Sequence, residues 1–183
     1  MRVAPLATLF LIALACSRSS ERVTIWRDML RQSSECPAQE VPPPPSWARW
    51  PIASPVGEVH LPPSFHMLAA PTGQTLWRGP DSSEVDYGVS VEPSSAMAGQ
   101  SPLLSRLRNP SYRLEGVCRM GVGGHQASIF TFHHVDSAKT DTVFGLAATV
   151  FLREHQFGEV LALVPTAAMR DSLLGAVASL RWR

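Results

Sequence analysis

Nine of the sixteen prolines fall between Pro37 and Pro63, four of them in the run Pro42-Pro43-Pro44-Pro45. No other feature limits the fold so sharply. Proline fixes φ and has no backbone N–H, so such a stretch is barred from helix interiors and central strands and favours an extended polyproline conformation. A semi-rigid spacer is the expectation, with residues 16–58 forming an N-terminal tether. Polyproline segments also dock in aromatic-lined grooves, but "VPPPPSW" carries no flanking signal for that use.

From Val59 to Arg183 the pattern is that of a single α+β domain. In "EVDYGVSVE", Val85, Tyr87, Val89 and Val91 alternate with polar or small residues, which predicts a strand with one wet face. Gly79-Pro80-Asp81-Ser82 precedes it and joins it to "TLWR" as a hairpin. "SYRLEGVCRM" alternates too, and predicts Tyr112, Leu114, Cys118 and Met120 on one side. "TVFGLAATVFL" and "EVLALV" are apolar throughout, as central strands covered on both faces would be, with a hairpin loop over residues 155–158. Gly121, Gly123 and Gly124 in "MGVGGH" lack the spacing and lysine of a phosphate loop and suit a hairpin turn.

Three helices are expected. Val23, Trp26, Met29 and Leu30 have helical spacing ahead of the prolines, and Ser101-Pro102 opens a second, short one. At the end of the chain, Thr166 is an N-cap, and Met169, Leu173, Val177 and Leu180 form one apolar stripe.

The N-terminus reads as an export signal. Arg2 is followed by an apolar stretch from Val3 to Ala15 and then by polar residues. That stretch falls short of the roughly 20 residues that span a bilayer and suits a signal over residues 1–15. Ala13-Leu14-Ala15 fits the small-x-small site of ordinary signal peptidase, which would leave a secreted protein. Ala13-Leu14-Ala15-Cys16 also resembles the lipobox of bacterial lipoproteins, although that family prefers leucine at the place of Ala13 and a small residue at the place of Leu14. The lipobox resemblance implies lipid on Cys16 and a chain anchored in the bacterial cell envelope. Cysteine parity favours it. Export implies an oxidising compartment, and lipid on Cys16 leaves Cys36 and Cys118 as an even pair, expected to form a disulfide.

Charge excludes one class of partner. Sixteen basic residues against fifteen acidic ones give a net charge of +1, without the basic face that nucleic acid requires. Asp81, Glu84, Asp86 and Glu92 cluster in one stretch and Arg106, Arg108, Arg113 and Arg119 in a later one, which predicts cross-strand pairing on a solvated face.

A "WR" strand, a turn, a further strand, the Gly-led "GGHQASIF", two central strands and a final helix ending "ASLRW" are similar to the PsbP-like α/β/α sandwich. That resemblance covers residues 59–183. It implies an antiparallel sheet of about six strands with helices packed on both faces, and an accessory or binding role more often than catalysis. No functional residues carry over from it, and fold alone does not fix function.

Two readings of function follow. The first is a membrane-tethered extracytoplasmic binding or accessory module, with a protein partner or small ligand in the cell envelope and no cofactor. The second is a metal-dependent hydrolase using His134 and Asp136, which share a strand face, with His125 or His155 as a third ligand. No nucleophile elbow is present, and a Cys36–Cys118 disulfide would leave no free catalytic thiol.

Overall fold

Strands dominate, as the period-two patterning requires. A computed structural model describes residues 33–36, 43–53, 56–68, 74–91, 111–135, 142–153 and 156–183. The signal, Cys16, the helices expected near residues 23–30 and 101–108, Asp136 and His155 lie outside the described residues. One compact unit runs from Ser34 to Arg183.

Its strands are β1 (Ser34–Glu35), β2 (Ala48–Ala53), β3 (Val56–Leu61), β4 (His66–Leu68), β5 (Gln74–Arg78), β6 (Glu84–Val91), β7 (Tyr112–Val122), β8 (His125–Val135), β9 (Thr142–Arg153), β10 (Gln156–Val164) and β11 (Arg181–Trp182). Two helical turns, α1 (Ala167–Ser172) and α2 (Leu174–Ser179), meet at Leu173. Eight strands form one sheet in the order β1-β7-β8-β9-β10-β6-β5-β4, and three form a second in the order β11-β3-β2. All pairs are antiparallel except β1 with β7.

The sheet of about six strands with helices on both faces is therefore corrected. The large sheet is mixed, a second sheet is present, and the only helical segment among the described residues shares a face with that second sheet. The prolines explain part of the error. Pro51 lies within β2, at the edge of the small sheet, where a residue without an N–H is tolerated. Strand structure thus begins before residue 59, inside the stretch expected to be a spacer.

The core lies between the large sheet and this layer. Val85, Tyr87, Met120, Ile129, Leu146 and Val160 of the sheet are buried against Ile52, Val59 and Leu61 of the small sheet and Leu173, Val177 and Leu180 of the helical segment. Each such aliphatic burial contributes about 1.5–3 kcal/mol. Thr166 caps α1 by accepting from the Met169 N–H at 3.2 Å. The segment ends at β11, where Trp182 donates from Nε1 to the Tyr87 hydroxyl at 3.0 Å and its ring sits edge-on to His125. Gly123 has φ +56°, and a side chain there would strike the Trp182 ring. With Gly124 at φ 84° it makes the tight β7–β8 turn expected from the sequence.

Three local expectations change. In β9, Gly145 to Ala148 are all buried, as a strand covered on both faces should be, but β10 alternates between buried and half-buried residues. The loop expected at 155–158 is shorter, because Gln156, Phe157 and Gly158 are already in β10. The charge clusters do not face one another in the sheet, because β6 and β7 are not neighbours: Glu84 pairs across strands with Arg78 of β5 at 3.3 Å, and Glu92, Arg106 and Arg108 lie outside the described residues.

Candidate functional site

β7 does not alternate evenly. Leu114 pairs with Phe132 and Gly116 with Thr131, leaving Glu115 as an inserted residue. A bulge of this kind moves every later side chain to the opposite face. Tyr112 and Leu114 therefore share a face with His134 and Phe132, whereas Cys118 and Met120 lie opposite Ile129 and Ala127 on the core face. The four residues expected on one side are split two and two.

The bulge also re-aims Glu115. Its Oε2 accepts from Nη1 of Arg170 on α1, and its Oε1 lies 2.8 Å from Nδ1 of His133 on β8. Arg170 turns its other edge to Asp171, with Nε 2.9 Å and Nη2 2.8 Å from the same oxygen, and sits 5.8 Å above the Phe144 ring of β9. Only 8 % of Arg170 is exposed, which is affordable because two carboxylates and a ring face receive its charge. The cluster thus joins α1, β7, β8 and β9.

Electrostatics decide what it can do. Burial alone would push the Glu115 carboxyl up, but the hydrogen bonds from His133 and Arg170 outweigh it and hold the pKa below the ordinary carboxylate value. Burial likewise opposes the Arg170 charge, and the bonds to Asp171 and Glu115 overcome it, so its pKa is raised. A carboxylate made less basic and an arginine with both edges occupied are poor proton carriers at neutral pH. The arrangement fixes geometry.

The expected metal pair fares differently. His134 packs its ring on Tyr112, with centroids 4.7 Å apart, while Asp136 and His155 lie outside the described residues. His125 stands at the other end of the eleven-residue β8 from His134, about 30 Å away at the usual rise per residue, and it cannot join a site there. Among the described residues no group of three or more His, Cys, Asp or Glu could hold a metal ion.

The structure does bring Cys36 and Cys118 together, as a disulfide with α-carbons 4.9 Å apart. The Cys36 N–H donates to the Arg119 carbonyl at 2.9 Å, and Ser34 and Glu35 run parallel to β7 opposite Cys118 and Arg119. Cys36 is itself buried in the core.

Among the described residues a void lies between the helical segment and the sheet, lined by Trp77, Tyr87, Leu146, Leu173, Val177 and others. It has room for about one water, and a buried water needs two to four polar partners. The Trp77 Nε1, buried without a hydrogen-bond partner in the described residues, is too little to hold one. This is a dry packing defect. It is not a ligand pocket.

Sequence reasoning missed Glu115, His133 and Arg170. Arg170 had a signal: it stands three residues before Leu173 and seven before Val177, on the edge of the apolar stripe. The bulge had none, because Leu114, Gly116, Cys118 and Met120 keep an unbroken alternation.

No family model matches this chain, and no curated protein matches it. Among solved structures, its fold is similar to cyanobacterial PsbP (CyanoP) from Synechocystis sp. PCC 6803, with a TM-score of 0.53, 11% identity, and 82% of this chain and 98% of that chain covered. A protein from Bacteroides thetaiotaomicron has a TM-score of 0.43 and 14% identity, covering 69% of this chain and 45% of that one. A protein of unknown function from Pseudomonas aeruginosa has a TM-score of 0.37 and 13% identity, covering 71% and 90%. The PsbP-like resemblance of the fold stands on the first of these.

Proposed function

We propose that the chain is an exported, non-catalytic binding or accessory module, held at a bacterial envelope membrane by lipid on Cys16. The observation that carries this reading is the Cys36–Cys118 disulfide. Disulfides persist in oxidising compartments, which supports export. The bridge also uses up two of the three cysteines, leaving Cys16 as the odd one, placed directly after a signal-like segment.

The tethered geometry follows. The disulfide fixes residue 36 to the middle of β7, so the residues before it are the ones that set the reach from an anchor at Cys16 to the folded unit. The charged cluster at the bulge is a poor proton carrier, which favours binding over chemistry there.

Labelling with radioactive palmitate during expression in a bacterial host tests the anchor. Wild type is expected to incorporate label and to sediment with membranes, and Cys16→Ala to do neither. An unlabelled mature protein whose mass matches cleavage after Ala15 would sink the tether and leave a secreted module.

A further inference from the structure

Outside the site already described, the strongest surface feature is the outer face of the small sheet. Pleating sends Ile52, Val59 and Leu61 into the core and leaves the alternate positions outside. Those positions are Arg49 and Pro51 on β2, Val56, Glu58 and His60 on β3, and Arg181 on β11. Arg183 continues β11, its N–H donating to the Val56 carbonyl at 2.9 Å, and its side chain is 74% exposed.

Three arginines therefore surround one carboxylate. Glu58 receives Arg49 and lies 4.0 Å from Arg183, while Arg181 directs Nη1 to the Ala178 and Leu180 carbonyls at the end of α2. Counting side chains alone, three arginines against Glu58 leave an excess of two positive charges on a three-stranded, pleated face. Val56, 60% exposed, and Pro51 add apolar surface among the cations. Among the described residues no concave cradle gathers the guanidinium groups around one small anion.

We infer that this face is a docking surface for an anionic lipid bilayer. Spread cations with interspersed apolar residues match a headgroup layer, where arginine stems lie along apolar surface and their heads reach phosphate. Two net charges near an anionic leaflet give roughly a 30-fold enrichment. That is too weak to hold the protein alone and strong enough to orient one that is already tethered. The inference goes beyond the proposed function and does not depend on lipid at Cys16.

The test uses the chain without its signal segment, residues 16–183 carrying Cys16→Ser, with the Cys36–Cys118 disulfide intact, so that neither lipid nor the apolar stretch from Val3 to Ala15 contributes. Flotation with vesicles of phosphatidylcholine alone or mixed with phosphatidylglycerol gives the ratio of anionic to neutral partitioning. The ratio is expected to be well above one at low salt and to collapse at high salt. Arg49→Gln with Arg183→Gln should lower it by roughly 30-fold, and Glu58→Gln should raise it roughly fivefold. The Glu58→Gln gain cannot come from misfolding. Equal partitioning, a ratio unmoved by Glu58→Gln, or an unmoved ratio in a double variant with native melting would overturn the proposal. Displacement by inorganic phosphate at an ionic strength where chloride has no effect would also overturn it, in favour of a free anion.

Discussion

The helical segment is fastened at both ends, and the two fastenings are chemically opposite. At α1, Arg170 is tied to Glu115 across the β7 bulge, a contact between charges with water nearby. Beyond α2, Trp182 lies over Gly123 and donates to Tyr87, a contact between neutral aromatic groups. The charged end should weaken in acid. The aromatic end should weaken in alkali, because burial raises the Tyr87 pKa against the lowering effect of the Trp182 bond. A raised tyrosine pKa means stability fully present below about pH 10, the unfolded value, and lost as pH rises through the folded one. One short element thus carries two failure modes at opposite ends of the pH scale.

The largest effect tests whether both ends depend on the same platform. The disulfide closes a separation of 82 residues, so replacing both cysteines with serine should cost about 4 kcal/mol in the chain-entropy model. Thermal melts across pH should fall together, with the acid and alkaline limbs keeping their shapes. A change in only one limb would mean that the bridge supports that end alone.

Trp182→Ala should come next, at about 2–3 kcal/mol, below a fully buried tryptophan because this ring is partly exposed. Trp182→Phe, which keeps an aromatic cover while removing the bond to Tyr87, isolates the bond: ultraviolet titration should show the Tyr87 pKa moving further up. An unmoved tyrosine would separate packing from hydrogen bonding at the aromatic end.

How much of this contrast could be read from the chain differs between its ends. The aromatic end was half legible: the glycines of "MGVGGH" announced a tight turn, and the Met169, Leu173, Val177 and Leu180 stripe announced the buried helix face. The role of Trp182 was hidden, because "ASLRW" reads as the end of a helix and not as a strand paired with Glu58 and Gly57. The charged end was hidden almost entirely. A bulge shifts register through backbone geometry, and Glu115 sits between Leu114 and Gly116 without disturbing the alternation. The small sheet was misread for the opposite reason. Its prolines gave a loud local signal for spacer, and edge position, a property of the whole sheet, overrode it for Pro51. The disulfide was legible only conditionally: lipid on Cys16 and an oxidising compartment would single out its two cysteines, and the 4.9 Å approach of their α-carbons comes from the fold.

Arg170→Met should cost about 1–2 kcal/mol. Removing one partner of a buried ion pair is normally more severe, but Glu115 has a third of its side chain in water and Asp171 more than half. Methionine keeps the contact with Phe144 while removing the charge. Hydrogen exchange should accelerate in α1 and around the bulge and stay unchanged at Trp182. Exchange that rose equally at both ends would merge the two fastenings into one cooperative unit.

The smallest effect is the most specific. Glu115→Gln keeps the shape of the side chain and part of its hydrogen bonding, so the loss near neutral pH should be about 0.5–1 kcal/mol. Its sign with pH follows from the lowered pKa. A carboxyl that is more acidic when folded binds fewer protons in the native state. Its contribution is complete above the unfolded value, near pH 4.5, and is lost as pH falls through the folded one. Wild type and variant should therefore differ at pH 7 and converge in acid, with their melting curves meeting below the folded pKa. The bulge supplies the reason: it aims one carboxylate at both His133 and Arg170, and protonating that group undoes what glutamine already lacks. A gap that persists unchanged into acid would mean that Glu115 acts through packing, and the charged end of the comparison would lose its basis.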